Sequence, residues 1–223
     1  MKKAGKILCL VMVIIVACVT PKRLNRLTEE NLGAKQANYP ITYEDYISIN
    51  TTNLINQPFI AHSVKVKHKF IPAIVYWEWE KNIECTIDPY YTIHLFMEEA
   101  MKIATEKNLK NRLEGQKLEL TFEEMPNKYL YSHKGFTLVF LFAYSVSDAE
   151  HLLPFMRDFK IKYRILKDQQ ETKSGVITLA HEMRDMHNTS SGTGKFTNAF
   201  LEMYKSEVKR LGSEFSKKIV YKI

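Results

Sequence analysis

Apolar positions recur along the chain with two periods, and the switches between them lay out the elements. Val64, Val66 and Phe70 stand among Lys65, Lys67 and Lys69, the period-two alternation of a half-buried strand. Residues 73–87 continue in that sense through Val75, Tyr76, Trp77, Trp79 and Ile83, with Glu78 and Glu80 between the tryptophans. At Asp88-Pro89 the period changes. Aspartate is a favoured N-cap and proline suits the first helical position, so a helix is predicted there. Ile93, Phe96, Met97, Ala100, Met101 and Ala104 then repeat at three and four residues, up to a close at Lys107-Asn108.

Strand patterns follow at 117–122, 136–146, 159–166 and 175–181. The segment 136–146 is almost uniformly apolar and predicts a central strand covered on both faces, whereas 159–166 alternates through Phe159, Ile161, Tyr163 and Ile165. Residues 167–170 read as the hairpin turn between the last two strands. After a polar loop at 187–194, the pattern predicts a closing helix over 195–218. Phe196, Phe200, Met203, Tyr204, Val208, Leu211 and Phe215 form its apolar face, and Gly212 weakens it near the end. The expected class is α+β, a mainly antiparallel sheet with two amphipathic helices packed on one face. Residues 61–223 are expected to form that single domain. Residues 18–60 are expected to be a tether, with a short helix from Thr20-Pro21 to Lys35 carrying only a weak stripe of Leu24, Leu27 and Leu32.

Composition narrows this reading. A chain of 223 residues with 45% hydrophobic and 26% charged residues suffices for one ordinary core. The formal charge of +7 includes Lys2, Lys3 and Lys6, which no acid offsets before residue 18, so the remainder carries +4. No basic run exceeds three residues, which argues against nucleic acid as a partner. Of the 3 cysteines, Cys9 and Cys18 lie near the start and Cys85 stands alone in the body, where it reads as a small buried hydrophobe.

The first residues read as an export leader. A positive start is followed by an unbroken apolar run at 7–19, shorter than the roughly 20 residues that span a bilayer. Within it, Ile15-Val16-Ala17-Cys18 resembles the bacterial lipobox, with Val16 where a small residue is commoner. That resemblance implies a signal peptide at 1–17, cleavage after Ala17, and acylation of Cys18 with a diacylglyceryl thioether and a palmitate-like amide. Several acyl chains hold a protein stably where one is marginal. An ordinary cleaved secretory signal and an uncleaved anchor are the alternatives. By the same resemblance, Val19 after the cysteine, rather than an acid, points to the outer membrane and its periplasmic face.

Three patterns bear on chemistry. Glu78 and Glu80 could be a carboxylate pair, but positions two apart on a strand are ordinarily a solvated face. Residues 191–195 resemble the tail of a phosphate-binding loop, yet Thr189 stands where its first glycine belongs and Phe196 where Ser or Thr should follow the lysine. His181, Asp185 and His187 would share one face if 181–187 were extended, and so offer ligands for a metal-assisted hydrolase. No catalytic constellation is otherwise legible, and no cofactor is implied. The order of lipobox, tether, helix, meander and closing helix resembles the small periplasmic lipoproteins that accompany envelope transport systems. It implies a non-catalytic envelope lipoprotein that binds a protein partner or a lipid-like ligand. The alternatives are the periplasmic hydrolase and a surface or pilus assembly component.

Overall fold

The computed structural model describes residues 19–32, 42–50, 60–72, 75–141, 143–155 and 158–223. It is an α+β protein whose described residues form four helices and ten strands. The strands divide between two sheets, a partition that alternation alone does not reveal. The first has the order β1 (Thr42–Glu44), β2 (Ile47–Asn50), β5 (Lys117–Glu124), β8 (Phe159–Lys167), β9 (Gln170–Leu179). The second has the order β10 (Met186–Asn188), β7 (Ala143–Pro154), β6 (Lys128–Phe140), β4 (Tyr76–Thr86), β3 (Ile60–Ile71). All pairings are antiparallel except β2 on β5, which run parallel with Ile47 opposite Leu118 and Ile49 opposite Leu120.

Four helices accompany them: α1 (Pro21–Leu32), α2 (Pro89–Glu106), the single turn α3 (Leu109–Arg112) and α4 (Thr193–Lys222). The expected start of α2 is realised in detail. The Asp88 carboxylate accepts the Tyr90 amide at 2.9 Å, satisfying a donor that the first turn leaves free. The turn expected at 167–170 also forms. Asp168 and Gln169 both adopt positive φ (50° and 68°), which suits the twist of a tight hairpin.

Phe96 of α2 anchors the core. Its ring stacks on Phe159 of β8 (4.7 Å between centroids, 7°) and meets Phe122 of β5 and Phe215 of α4 at 5.6 and 5.4 Å. Helix α4 touches α2 and both sheets, which is why its buried residues extend well beyond one narrow stripe. Gly212, expected as a weak point, is instead where the two helices come closest. A Cβ there would lie 2.4 Å from the Phe96 carbonyl oxygen, and Ser216 donates to the Ala100 carbonyl at 2.6 Å one turn on. Gly212→Ala would raise stability by about 1 kcal/mol in an exposed helix. Here it is expected to lower stability by about 2 kcal/mol, because the added atom must push backbone apart. Urea unfolding of the variant checks the sign.

Two described parts of the segment expected as a tether, 19–32 and 42–50, pack against the body. Leu24 and Thr28 of α1 are fully buried, Thr28 Oγ1 bonds Tyr129 Oη at 3.2 Å, and Lys205 of α4 donates to the Asn31 carbonyl at 2.9 Å. Strand β2 extends the first sheet. These short elements gain stability from tertiary partners, so their weak local patterns understate them.

The segment 136–146 is a further correction. It is two strands joined by a tight turn at Leu141, not one covered strand. Its uniform apolarity does not mean double coverage, because Phe140, Leu141, Tyr144 and Val146 are all exposed.

Candidate functional site

One end of the second sheet is left exposed by the helices. Cross-strand register places Val66, His68 and Phe70 of β3 on one face with Trp77, Trp79 and Lys81 of β4. Gly135, Thr137 and Val139 of β6 and Tyr144, Val146 and Asp148 of β7 continue that face. Farther toward the body the same face carries Tyr131 and Leu152, both fully buried in the core. Between that core row and the outer end the face carries Lys81, His133 and Glu150 and then His68, Trp79, Gly135 and Asp148; beyond them apolar side chains return uncovered, where Phe70 is 63% and Tyr144 72% exposed.

Local packing fixes that face. The Trp79 indole lies over Gly135, where an added Cβ would stand 2.3 Å from the ring, so only glycine fits beneath it. Trp77 and His133 approach Trp79 edge-on at 5.9 and 6.1 Å, and His133 is paired with Asp148. The reverse face is charged. Lys65 and Lys134 both pair with Glu80, which they hold below the usual carboxylate range; Tyr76 donates to Glu78 at 3.1 Å. Glu78 and Glu80 are therefore the solvated side of β4, each bound to its own neighbours.

The turns at the end of this sheet are unusual in composition. Val75 and Leu141 adopt φ of 44° and 51°, a region that disfavours aliphatic residues and most of all β-branched ones. Leu141 is 79% exposed. Strain and exposed apolar surface coincide at both tips, a pairing that persists in proteins chiefly where function requires it.

The histidines expected to converge do not. Residues 181–185 are irregular, and only 186–188 form a strand, β10, so the assumed common face does not exist. His181 is buried against α4 with neither ring nitrogen hydrogen bonded; burial pushes its pKa down, with Arg210 adding to this and Glu207 opposing it. His187 instead meets His151 of β7, Nδ1 to Nδ1 at 2.6 Å, with Asp185 acting on His151 only through its charge. Among the described residues no group of three or more His, Cys, Asp or Glu is arranged to hold a metal ion.

His181 and Glu207 give the fold a pH dependence. Burial raises the Glu207 carboxyl, but the Arg210 guanidinium and the Glu182 amide outweigh it and leave the pKa lowered. Both groups bind protons more weakly folded than unfolded, so their contribution is complete above the unfolded values. It is lost as pH falls, first below about 6.5 for His181 and then below about 4.3 for Glu207. Thermal melts should show a midpoint lower at pH 5.5 than at pH 7.5, and His181→Gln should flatten that slope.

The loop resembling a phosphate site is filled by the protein's own anion. Glu150 of β7 lies beside the first turn of α4, where a negative charge is favoured. It accepts from Tyr131 Oη (2.5 Å), Asn188 Nδ2 (2.6 Å) and the Thr193 hydroxyl. Asn188 in turn receives the Ser190 and Ser191 amides.

Cys85 is fully buried, and burial drives its thiol up to about 12, far from a nucleophile's range. Cys18 lies outside the described residues, but its neighbour Val19 is 1% exposed, and the Val19 carbonyl accepts from Lys81 Nζ at 2.5 Å. An open depression of about 560 Å³ lies between the β1–β2 turn and α3, lined mainly by charged and amide side chains with Tyr46, and is unsuited to acyl chains. No described helix is long and apolar enough to cross a membrane. Compared with protein-family models, curated proteins and solved structures, the chain matches none.

Proposed function

We propose that this protein is a non-catalytic lipoprotein of the bacterial cell envelope. It is held by acylated Cys18, on the periplasmic face of the outer membrane, and binds a protein partner or lipid-like ligand as an accessory to envelope transport or assembly. The observation that carries the binding role is the uncovered apolar stripe of the second sheet, which ends in two strained apolar turns. Isolated exposed apolar side chains are ordinary, but a cluster of them gathered at one end of a sheet marks an interaction surface. The anchoring role is supported by the lipobox-like sequence at 15–18 and by the burial of Val19, the residue that follows Cys18.

The experiment is intact-mass analysis of the mature chain with membrane fractionation. A mature N-terminus at Cys18 carrying diacylglyceryl and N-acyl groups is expected, and Cys18→Ala should leave an unprocessed or unanchored chain. An unacylated wild-type chain in the soluble fraction overturns the anchoring role.

A further inference from the structure

We infer that the outer end of the second sheet is a bilayer-contacting element: Phe70, Val75, Phe140, Leu141 and Tyr144 enter the membrane to which the N-terminus is tied. This deepens the proposed function and rests on it in one respect, that a lipid surface lies beside residue 18.

The route of the chain is the first argument. Val19 is pinned by Lys81, and Lys81 shares its face with Val66, Trp79 and His133. Val19 therefore lies at the face whose outer end is apolar. From Lys81 to Tyr76 at the turn is five residues of β4, about 17 Å at roughly 3.3 Å per residue. With Val19 held in the body, an anchored Cys18 brings this sheet against the lipid. Tilting it by its own length puts the turns into the interface.

The second argument is the distribution of exposed side chains. Phe70, Val139 and Tyr144 lie on one face, Phe140 lies on the other, and Leu141 and Val75 project from the end. A partner laid along one face, including the chain's own apolar residues 7–18, would leave Phe140 and the tips in water. A bilayer surrounds an end on all sides. The aliphatic residues at left-handed φ fit the same reading. Gly or Asn would suit the backbone better, and the apolar side chain is kept despite the strain.

The residues behind the tips match interfacial depth. Tyr76, Trp77 and Tyr144 combine an apolar ring with a polar edge, the composition enriched where acyl chains meet headgroups. On the reverse face, exposed Lys67 and Lys69 form no ion pair among the described residues and can meet anionic headgroups.

Both tryptophans of the chain, Trp77 and Trp79, lie on this face, so intrinsic fluorescence reports the site directly. The full chain is reconstituted into phosphatidylethanolamine–phosphatidylglycerol vesicles, with and without brominated acyl chains. A blue shift is expected, with about a twofold loss of intensity in brominated vesicles, as for tryptophans at interfacial depth. Leu141→Asn should weaken the quenching while leaving the unfolding midpoint unchanged or higher, since Asn tolerates positive φ. That separates lost lipid contact from lost folding.

Vesicle-bound protein whose tryptophans stay unquenched and open to acrylamide overturns the inference and leaves the anchored reading intact. Quenching in a chain whose N-terminus carries no acyl group supports the inference and overturns acylation. Failure to pellet with vesicles overturns both. Shielding already complete before lipid is added means residues 7–18 cover the stripe. A blue shift that follows protein concentration alone means a second copy does. Either result overturns the inference.

Discussion

Phe96→Ala is expected to cost about 4 kcal/mol of folding stability, near the top of the range for aromatic truncations. The ring has no exposed surface and contacts Phe122, Phe159 and Phe215, which belong to two strands of the first sheet and to α4. Truncation removes a ring common to all three, and neighbours held by sheet pairing and helix backbone cannot collapse into the space. The loss is therefore transfer energy plus cavity. Phe96→Leu fills most of the volume and should cost about 1.5 kcal/mol. Urea titration of both variants checks the prediction; equal losses would mean that the site relaxes and that the ring is not central.

Glu150→Ala is expected to cost about 3 kcal/mol for a different reason. The carboxylate is the acceptor for Tyr131, Asn188 and Thr193, and removing it takes the acceptor from two buried side chains and one half-buried hydroxyl at the junction of β7, β10 and α4. Burial, with the neighbouring Glu150 next in weight, pushes the Tyr131 phenol well above its ordinary range, so it stays a donor at any working pH. Glu150→Gln keeps one acceptor oxygen and should cost less than half as much. Hydrogen exchange at Ser190 and Ser191, whose amides depend on Asn188, should accelerate in the Ala variant more than in the Gln variant. Unchanged protection there would show that the network does not hold this loop.

The elements that the sequence makes legible are those that carry their own local chemistry. The Asp88-Pro89 start, the stripe from Ile93 to Ala104 and the turn at 167–170 each follow from neighbours in the chain. What stays hidden depends on distant partners or on atypical residues. The turn at Leu141 has no Gly, Asn or Pro nearby, so a hairpin reads as one apolar strand. The parallel pairing of β2 with β5 joins segments some 70 positions apart, and α1 is ordered by Tyr129 and α4 rather than by its own stripe. His181 and His187 form one cluster only if the backbone between them is extended. The irregular stretch at 181–185 separates them, and His187 faces His151 instead. The uncovered stripe was the least legible, because Phe70, Trp77 and Tyr144 look the same in sequence whether a helix covers them or not.

The contact between α1 and α4 sets the order in which the molecule can be completed. Asn31 finds its partner, Lys205, on a helix that starts at Thr193, and β2 cannot join its sheet before residue 117 is present. Contacts of such long sequence separation form slowly, after the chain between them has been gathered. A nascent chain lacking residues 193–222 therefore leaves its first helix and the Phe96 cluster without their closing surface. It stays loosely folded, the state in which a polypeptide can be threaded through a narrow pore. Cooperative closure then waits for the last helix to arrive.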